Sequence, residues 1–424
     1  MDIGQFFAIS TRSPGWITVF LKMLWHYWSD INTRLLSSRD RRFTQGGALM
    51  GHLYHKIFER GVEVRTETAL KELIASDDRI TEVKVENIGR QYEIHPNHGV
   101  VLAAGGFEWN QELRDKFFQV PGLTRHSSSP EDANRGETIV AGMAQGAATE
   151  HTEAGWWIPT MHKPLESASN FDEIHQAAFD VGRPHSVCVN RNGQRFVNEA
   201  CSYDEFGVAM VEDQLKTGAN TPCWLVFDAN FRRKFTAGGF LPSLIMPDWR
   251  IPADCWDHYI FKADSIRGLA EKIHLPESAL STTINNMNQY ARTGEDPEFG
   301  RGNNDYDKMF GDPAISPNPC LGPIDQAPYY AVPINLGDLG TKGGLKANSQ
   351  AQVVDGNDKP IPGLYAAGNN SGSPFGNLYP GAGGTIGPAA TFGFVAANHI
   401  ASEAGKNLKQ QADDDDKGKQ EKVA

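Results

Sequence analysis

The sequence predicts an α/β fold in two parts, an α/β domain split by an inserted α+β domain. Three observations predict it. Gly99 to Ala104 (GVVLAA) is a short apolar run that leads into glycine, as expected for a buried parallel strand, and Gly363 to Ala367 (GLYAA) is a second buried strand that ends in glycine. Ahead of the first run the chain reads helix, strand, hairpin, an order that suits nucleotide-binding α/β domains. Between the runs, from about Thr152 to Pro333, lies a stretch rich in aromatics and prolines that breaks this order.

Taken in order, Ile17, Phe20, Leu21, Leu24 and Trp28 follow helical spacing, so Trp16 to Trp28 reads as an amphipathic helix. It contains Lys22 and His26 and falls short of the roughly 20 apolar residues of a spanning helix. Its apolar side either packs on a neighbouring domain or dips into a membrane surface. Gly46 to Glu59 is a second helix, stopped by Gly61, and Val62 to Val64 is expected to begin a strand. Leu70 to Ile74 and Ile80 to Glu86 alternate as a hairpin across Ser76-Asp77-Asp78-Arg79. In the middle stretch, helices are expected at Ile266 to Lys272 and Glu277 to Thr293, and Gly300 to Pro319 reads as loop. NRNGQRFVNE, Asn190 to Glu199, reads as a hairpin turning at Asn192-Gly193, with Arg195 paired to Glu199. Pro388 sits in the first turn of a last helix through Ile400, where its missing N–H costs little. The expected division is 1–160 and 337–405 for the α/β domain, 161–336 for the insert, and 406–424 for a disordered tail.

Composition narrows the function classes. The 424 residues carry a net charge of −12, which excludes nucleic acid as a main partner because that needs a basic face. Five scattered cysteines form no CxxC pair, so neither a disulfide framework nor a zinc site is expected, and a reducing, cytoplasmic setting fits. The thirteen histidines form no HxH or HExxH pattern, so no metal is expected.

The strongest chemical signal is Gly363 to Ala401, GLYAAGNNSGSPFGNLYPGAGGTIGPAATFGFVAANHIA. A buried strand ends in a glycine, so backbone can approach a ligand closely. A helix then starts near Gly387 with free N–H groups, which favour negative charge or an electron-rich carbonyl. This string resembles the C-terminal flavin-binding signature of the fumarate reductase/succinate dehydrogenase flavoprotein superfamily. YPGAGGTIGPAATFG is similar to its 3-ketosteroid Δ1-dehydrogenase group. DRRFTQGGALMGHL, VVLAAGGFEWN, NRNGQRFVNEACSYDEFG and LGTKGGLKAN match the same group in chain order.

The resemblance implies a Rossmann-like FAD-binding domain and a flavin-dependent dehydrogenation. The substrate would be a 3-ketosteroid or related triterpenoid ketone, desaturated between C1 and C2, with an external electron acceptor. By the same resemblance, Tyr379 and the Gly383 N–H bind the 3-keto oxygen, where enolate charge develops, and Tyr203 takes the C2 proton. A second reading leaves Tyr203 structural, since a free tyrosine, with a pKa of about 10, is a poor base at neutral pH. The cofactor-binding positions implied are Val64, Ala104, Gly105, Gly106, Gly368, Asn369, Gly384, Ile386 and Gly387. No GxGxxG occurs in the chain, so the first βαβ unit and its pyrophosphate site are expected to be missing. Alternatives are a sibling 3-keto-5α-steroid Δ4-dehydrogenase, a fumarate reductase-like flavoprotein, or an inactive remnant without FAD. Asp338 to Gly344 (DLGTKGG) disfavours the fumarate reductase, which resembles HxTxGG there. Peripheral contact with a membrane is left open by the first helix.

Overall fold

The computed structural model describes residues 5, 9, 14–39, 45–128, 133–163 and 173–405. The expected disordered tail 406–424 and the first residues of DRRFTQGG, 40–44, lie outside them. Contacts divide the chain into two units, 1–68 and 69–424.

The N-terminal unit holds α1 (Trp16–Trp28), α2 (Ile31–Leu36) and α3 (Gln45–Glu59). Within this unit α1 buries none of its residues. Among the described residues no helix is long and apolar enough to cross a membrane. The strand expected at Val62 to Val64 does not form. The Val62 N–H instead bonds back to the Ile57 carbonyl at 3.1 Å and closes the end of α3. Pairing starts later, at β1 (Thr68–Ser76).

In the second unit, β1, β2 (Arg79–Asn87) and β3 (Arg90–Ile94) form a three-stranded sheet. The β1–β2 turn is the expected one, with Asp77 and Asp78 both at positive φ, as a two-residue hairpin turn demands. Next come β4 (Val100–Leu102), α4 (Gln111–Phe117), α5 (Glu137–Ala144) and β5 (Thr149–Glu150). The long β6 (Gly155–Lys163) starts a second, antiparallel sheet, continued by β7 (Glu173–Gln176), β8 (Ser186–Val189) and, after α6 (Tyr203–Thr217), β9 (Cys223–Phe227). Its central strand, β11 (Tyr329–Thr341), arrives after α7 (Ala229–Lys234), β10 (Phe261–Ala263), α8 (Ile266–Lys272), α9 (Glu277–Thr293) and α10 (Asp305–Met309). The order is β7-β6-β11-β9-β8, with β10 also on β11. The expected helices at 266–272 and 277–293 are present as α8 and α9.

Two further local expectations fail. The loop expected from Gly300 to Pro319 contains α10, because Asn304 accepts from the Asp307 N–H at 2.9 Å and caps a short turn. The turn at Asn190–Gly193 forms, but no second strand follows: β8 pairs with β9 instead, and Arg195 turns inward to Glu199 and Asp296.

The chain then returns through β12 (Gly344–Leu345) and β13 (Gln352–Val354) to β14 (Pro360–Ala366), and ends in α11 (Ile386–Glu403). β14 runs parallel to β4, in register Leu364 on Val100 and Ala366 on Leu102. The two apolar runs seen in the sequence are therefore neighbours, and their carboxyl ends open side by side, the usual place for a ligand in an α/β sheet.

Candidate active site

Ala104, Gly105 and Gly106 leave β4 at the mouth of this crevice, and Gly368 and Asn369 leave β14 beside them. The Ala104 N–H donates to Asn370 Oδ1 at 3.2 Å, which ties the two strand ends together. Gly106 is packed so closely that a Cβ there would lie 2.1 Å from Thr341 Oγ1, so no side chain fits. Asn369 Oδ1 accepts from the Trp156 indole at 3.3 Å. Gly384, Ile386 and Gly387 lie at the start of α11, which has no side-chain cap. A narrow cavity runs between these pieces, walled by Trp156, Lys342, Asn369, Gly384, Thr385 and Pro388. Val64 belongs to the N-terminal unit, outside any strand, in the segment before β1.

These residues fit the flavin end of FAD. An uncapped helix start faces a slot lined by glycine backbone, and Asn370 Nδ2 and Glu108 Oε2 are buried without hydrogen-bond partners among the described residues.

Tyr203 is the first residue of α6. Ser202 caps that helix and forms a capping box with Glu205, which fixes where the tyrosine emerges. Tyr379 lies in the loop before α11, its ring 5.3 Å from Trp156 and 5.4 Å from Tyr203. The Tyr203 and Tyr379 hydroxyls are hydrogen-bonded to each other, 176 residues apart in sequence. Burial, then the bond to Tyr379, then the nearby Asp204 charge push the Tyr203 hydroxyl above its ordinary pKa. Gly383 has φ of +90° with nothing within 4 Å of a notional Cβ, so its backbone is open. The tyrosine pair opens on one side into a cavity of about 620 Å³ with Tyr306 and Ala382 on its wall. Tyr379 also borders a second cavity of about 820 Å³, lined by Val208, Val211, Phe375 and Leu378. Both are of ligand-pocket size.

The structure thus brings Tyr203, Tyr379 and the loop of Gly383 together, and Ala104 to Gly106 with Gly368 and Asn369. Several residues at the site went unnoticed in the sequence. Lys342, within LGTKGGLKAN, is 1% exposed and bonds Asp204 Oδ2 at 2.8 Å and the Asn377 carbonyl at 2.9 Å. Asp204 in turn accepts from the Trp157 N–H at 3.0 Å. Tyr306 reaches the wall only through the unforeseen α10; Asn304 with Asp307 three residues on was the available signal. Glu108, of VVLAAGGFEWN, is 1% exposed, and burial and the neighbouring Asp338 charge raise its carboxyl to about 7.

Comparison with known proteins identifies the family of the chain. A sequence model of the FAD binding domain family matches residues 26–386. The chain is 39% identical over 374 residues to a 3-oxosteroid 1-dehydrogenase of Mycolicibacterium smegmatis, covering 86% of this chain and 63% of that protein. It is 32% identical over 411 residues to a 4-oxocyclohex-2-ene-1-carboxylate 5-dehydrogenase of Sinomonas cyclohexanicum, covering 94% and 66%. Among solved structures it resembles the 3-ketosteroid Δ1-dehydrogenase of Sterolibacterium denitrificans in complex with 1,4-androstadiene-3,17-dione. There the TM-score is 0.89 at 39% identity, over 95% of this chain and 71% of that one. The chain spans a little under two thirds of the length of these curated relatives. With its glycine-lined crevice and paired tyrosines in place, the chain belongs to the FAD binding domain family, among the relatives of the 3-oxosteroid 1-dehydrogenases, and its cofactor is FAD.

Proposed function

We propose that this protein dehydrogenates a 3-ketosteroid or a related triterpenoid ketone, introducing a C1–C2 double bond. The observation that carries this is the Tyr203–Tyr379 hydroxyl pair, bordered by two ligand-sized cavities and beside the flavin crevice. The ketone oxygen and the proton to be removed sit on adjacent carbons, so donor and base must be neighbours, as these hydroxyls are. Tyr379 and the Gly383 N–H hold the ketone oxygen and stabilise the enolate charge that builds there. Tyr203 takes the C2 proton. Its raised pKa means it is a neutral hydroxyl at rest, so as it accepts the C2 proton it gives its own to water in the adjoining cavity. When bound, FAD supplies the two-electron acceptor for the hydride leaving C1. We read the β4–β14 pair as part of the Rossmann-like half of the fold, and an external acceptor as what reoxidises the flavin.

A carboxylate-bearing cyclohexanone, as in the Sinomonas relative's name, is the competing substrate. The lining of the two cavities disfavours it. Among the described residues there, Glu153, Asp204, Glu205, Glu212 and Asp307 are acidic. The one cation among them, Lys342, is already bound to Asp204. A neutral, flat ketone suits such a site better.

Tyr379→Phe lowers steroid dehydrogenation about a hundredfold on this reading, the usual effect of removing one oxyanion donor. An unchanged turnover number contradicts it.

A further inference from the structure

We propose that Lys342 is a cofactor-binding residue whose ammonium donates an N–H to the electron-rich edge of the flavin while Asp204 holds it in place. The proposal rests on the family's cofactor and needs no steroid. An ammonium carries three N–H donors. Two are used, on Asp204 Oδ2 and on the Asn377 carbonyl. The third has no hydrogen-bond partner among the described residues, although the side chain is 1% exposed. A buried charged donor left without a partner is costly, so a ligand group is the natural acceptor. Lys342 lines the same narrow cavity as Asn369, Gly384, Thr385 and Pro388, at the uncapped start of α11. Trp156 shuts one side, its ring centroid 5.2 Å from the ammonium, which keeps the charge where it is. Two positive features, a side-chain cation and a helix N-terminus, therefore converge on one slot. That is where a flavin ring gains negative charge on reduction.

The Asp204 link adds a consequence. Asp204 follows Tyr203 in the first turn of α6, and Asn377 lies two residues before Tyr379. One lysine thus spans the flavin slot and both tyrosine-bearing segments.

Sulfite tests this without substrate. It adds its sulfur lone pair to flavin N5, and that pair ends as negative charge on the ring, so a nearby cation tightens binding. In the FAD-loaded protein, Lys342→Met raises the sulfite Kd about tenfold or more, and Lys342→Arg stays close to the parent. Asp204→Asn removes the counter-charge but leaves the lysine, and lowers the Kd. A Lys342→Met protein with the parent's sulfite Kd overturns the proposal. Should Lys342→Met retain no FAD, retention in Asp204→Asn and Lys342→Arg with tightened or unchanged sulfite binding supports it. Loss of FAD from all three variants contradicts it, because the ion pair would then only hold the fold. Steroid turnover enters none of these readouts, so the substrate assignment stands or falls separately.

Discussion

Two buried ionic clusters lie in this molecule, and they are built differently. Around Arg195, Glu199, Asp296 and Arg301, nearly every polar atom is paired. Arg195 forks onto Glu199 at 2.8 Å and onto Asp296 at 2.8 Å, and Arg301 adds a bond to Glu199 at 3.4 Å. Although burial opposes it, the arginines hold Glu199 and Asp296 below the ordinary carboxylate pKa. Around Arg114, Asp338 and Glu108, one guanidinium bonds the Asp338 carboxylate and the Glu108 backbone carbonyl, while the Glu108 carboxylate accepts from Asn134. Arg114 Nη1 bonds Asp338 Oδ2 at 2.7 Å, yet Arg114 Nε and Nη2, Asp338 Oδ1 and Glu108 Oε2 have no hydrogen-bond partner among the described residues. Burial and repulsion from Asp338 raise Glu108 to about 7. The first cluster is a brace for the segment that leads from Arg195 to Tyr203. The second is under-satisfied and sits behind Gly106 in the crevice at the β4 and β14 ends, where a Cβ on that glycine would lie 2.6 Å from Glu108 Oε2. Satisfied networks rigidify a fold, and incomplete ones mark where a site tolerates unsatisfied groups.

This contrast can be broken by experiment. Arg195→Met leaves Glu199 and Asp296 buried with less charge compensation and costs about 3–5 kcal/mol of stability, read by denaturant unfolding. A loss under about 1 kcal/mol removes the brace from the account. Glu108 gives a smaller, pH-dependent effect. Its folded pKa, about 7, lies above its ordinary 4.5. The protonated carboxyl therefore contributes stability in full below about pH 4.5, and that contribution is lost as pH rises through 7, about 3 kcal/mol in all. Glu108→Gln cannot titrate, so the parent falls relative to it between pH 4.5 and 7. Parallel stability curves for the two proteins refute the under-satisfied cluster. Asn304→Ala touches neither cluster; it uncaps α10 and costs about 1 kcal/mol. A loss as large as that of Arg195→Met shows that the ranking by charge burial is wrong.

Local patterns carried much of the fold into view. GVVLAA and GLYAA pair in parallel, but the burial expected of both holds for Leu364 to Ala366 of β14 and not for β4, whose Val101 is 39% exposed. Glu277 to Thr293 has a repeating apolar side that α9 buries through Leu280, Ile284 and Met287. What stayed hidden depends on partners distant in sequence. Nothing in NRNGQRFVNE tells that Arg195 also reaches Asp296, a hundred residues on, and so leaves the expected second strand unformed. Val62 reads as strand because it is β-branched, but closing α3 takes its N–H first. At the site, Tyr203 and Tyr379 were legible from the motifs around them. Lys342 was not, since a lysine between Thr341 and a glycine pair carries no sign of its burial, and only the tertiary fold sets it on Asp204.

The central claim is that the tyrosine pair drives dehydrogenation of a neutral ring ketone. Its most direct test is anaerobic flavin bleaching in the FAD-loaded protein, with a 3-ketosteroid and with 4-oxocyclohexanecarboxylate, in the parent and in Tyr203→Phe. The account predicts that the steroid bleaches the parent flavin with formation of the 1-ene product, that the carboxylate does so far more slowly, and that Tyr203→Phe slows steroid bleaching by about 10²-fold or more. Bleaching of Tyr203→Phe at the parent rate, or equal rates with the two ketones, contradicts it.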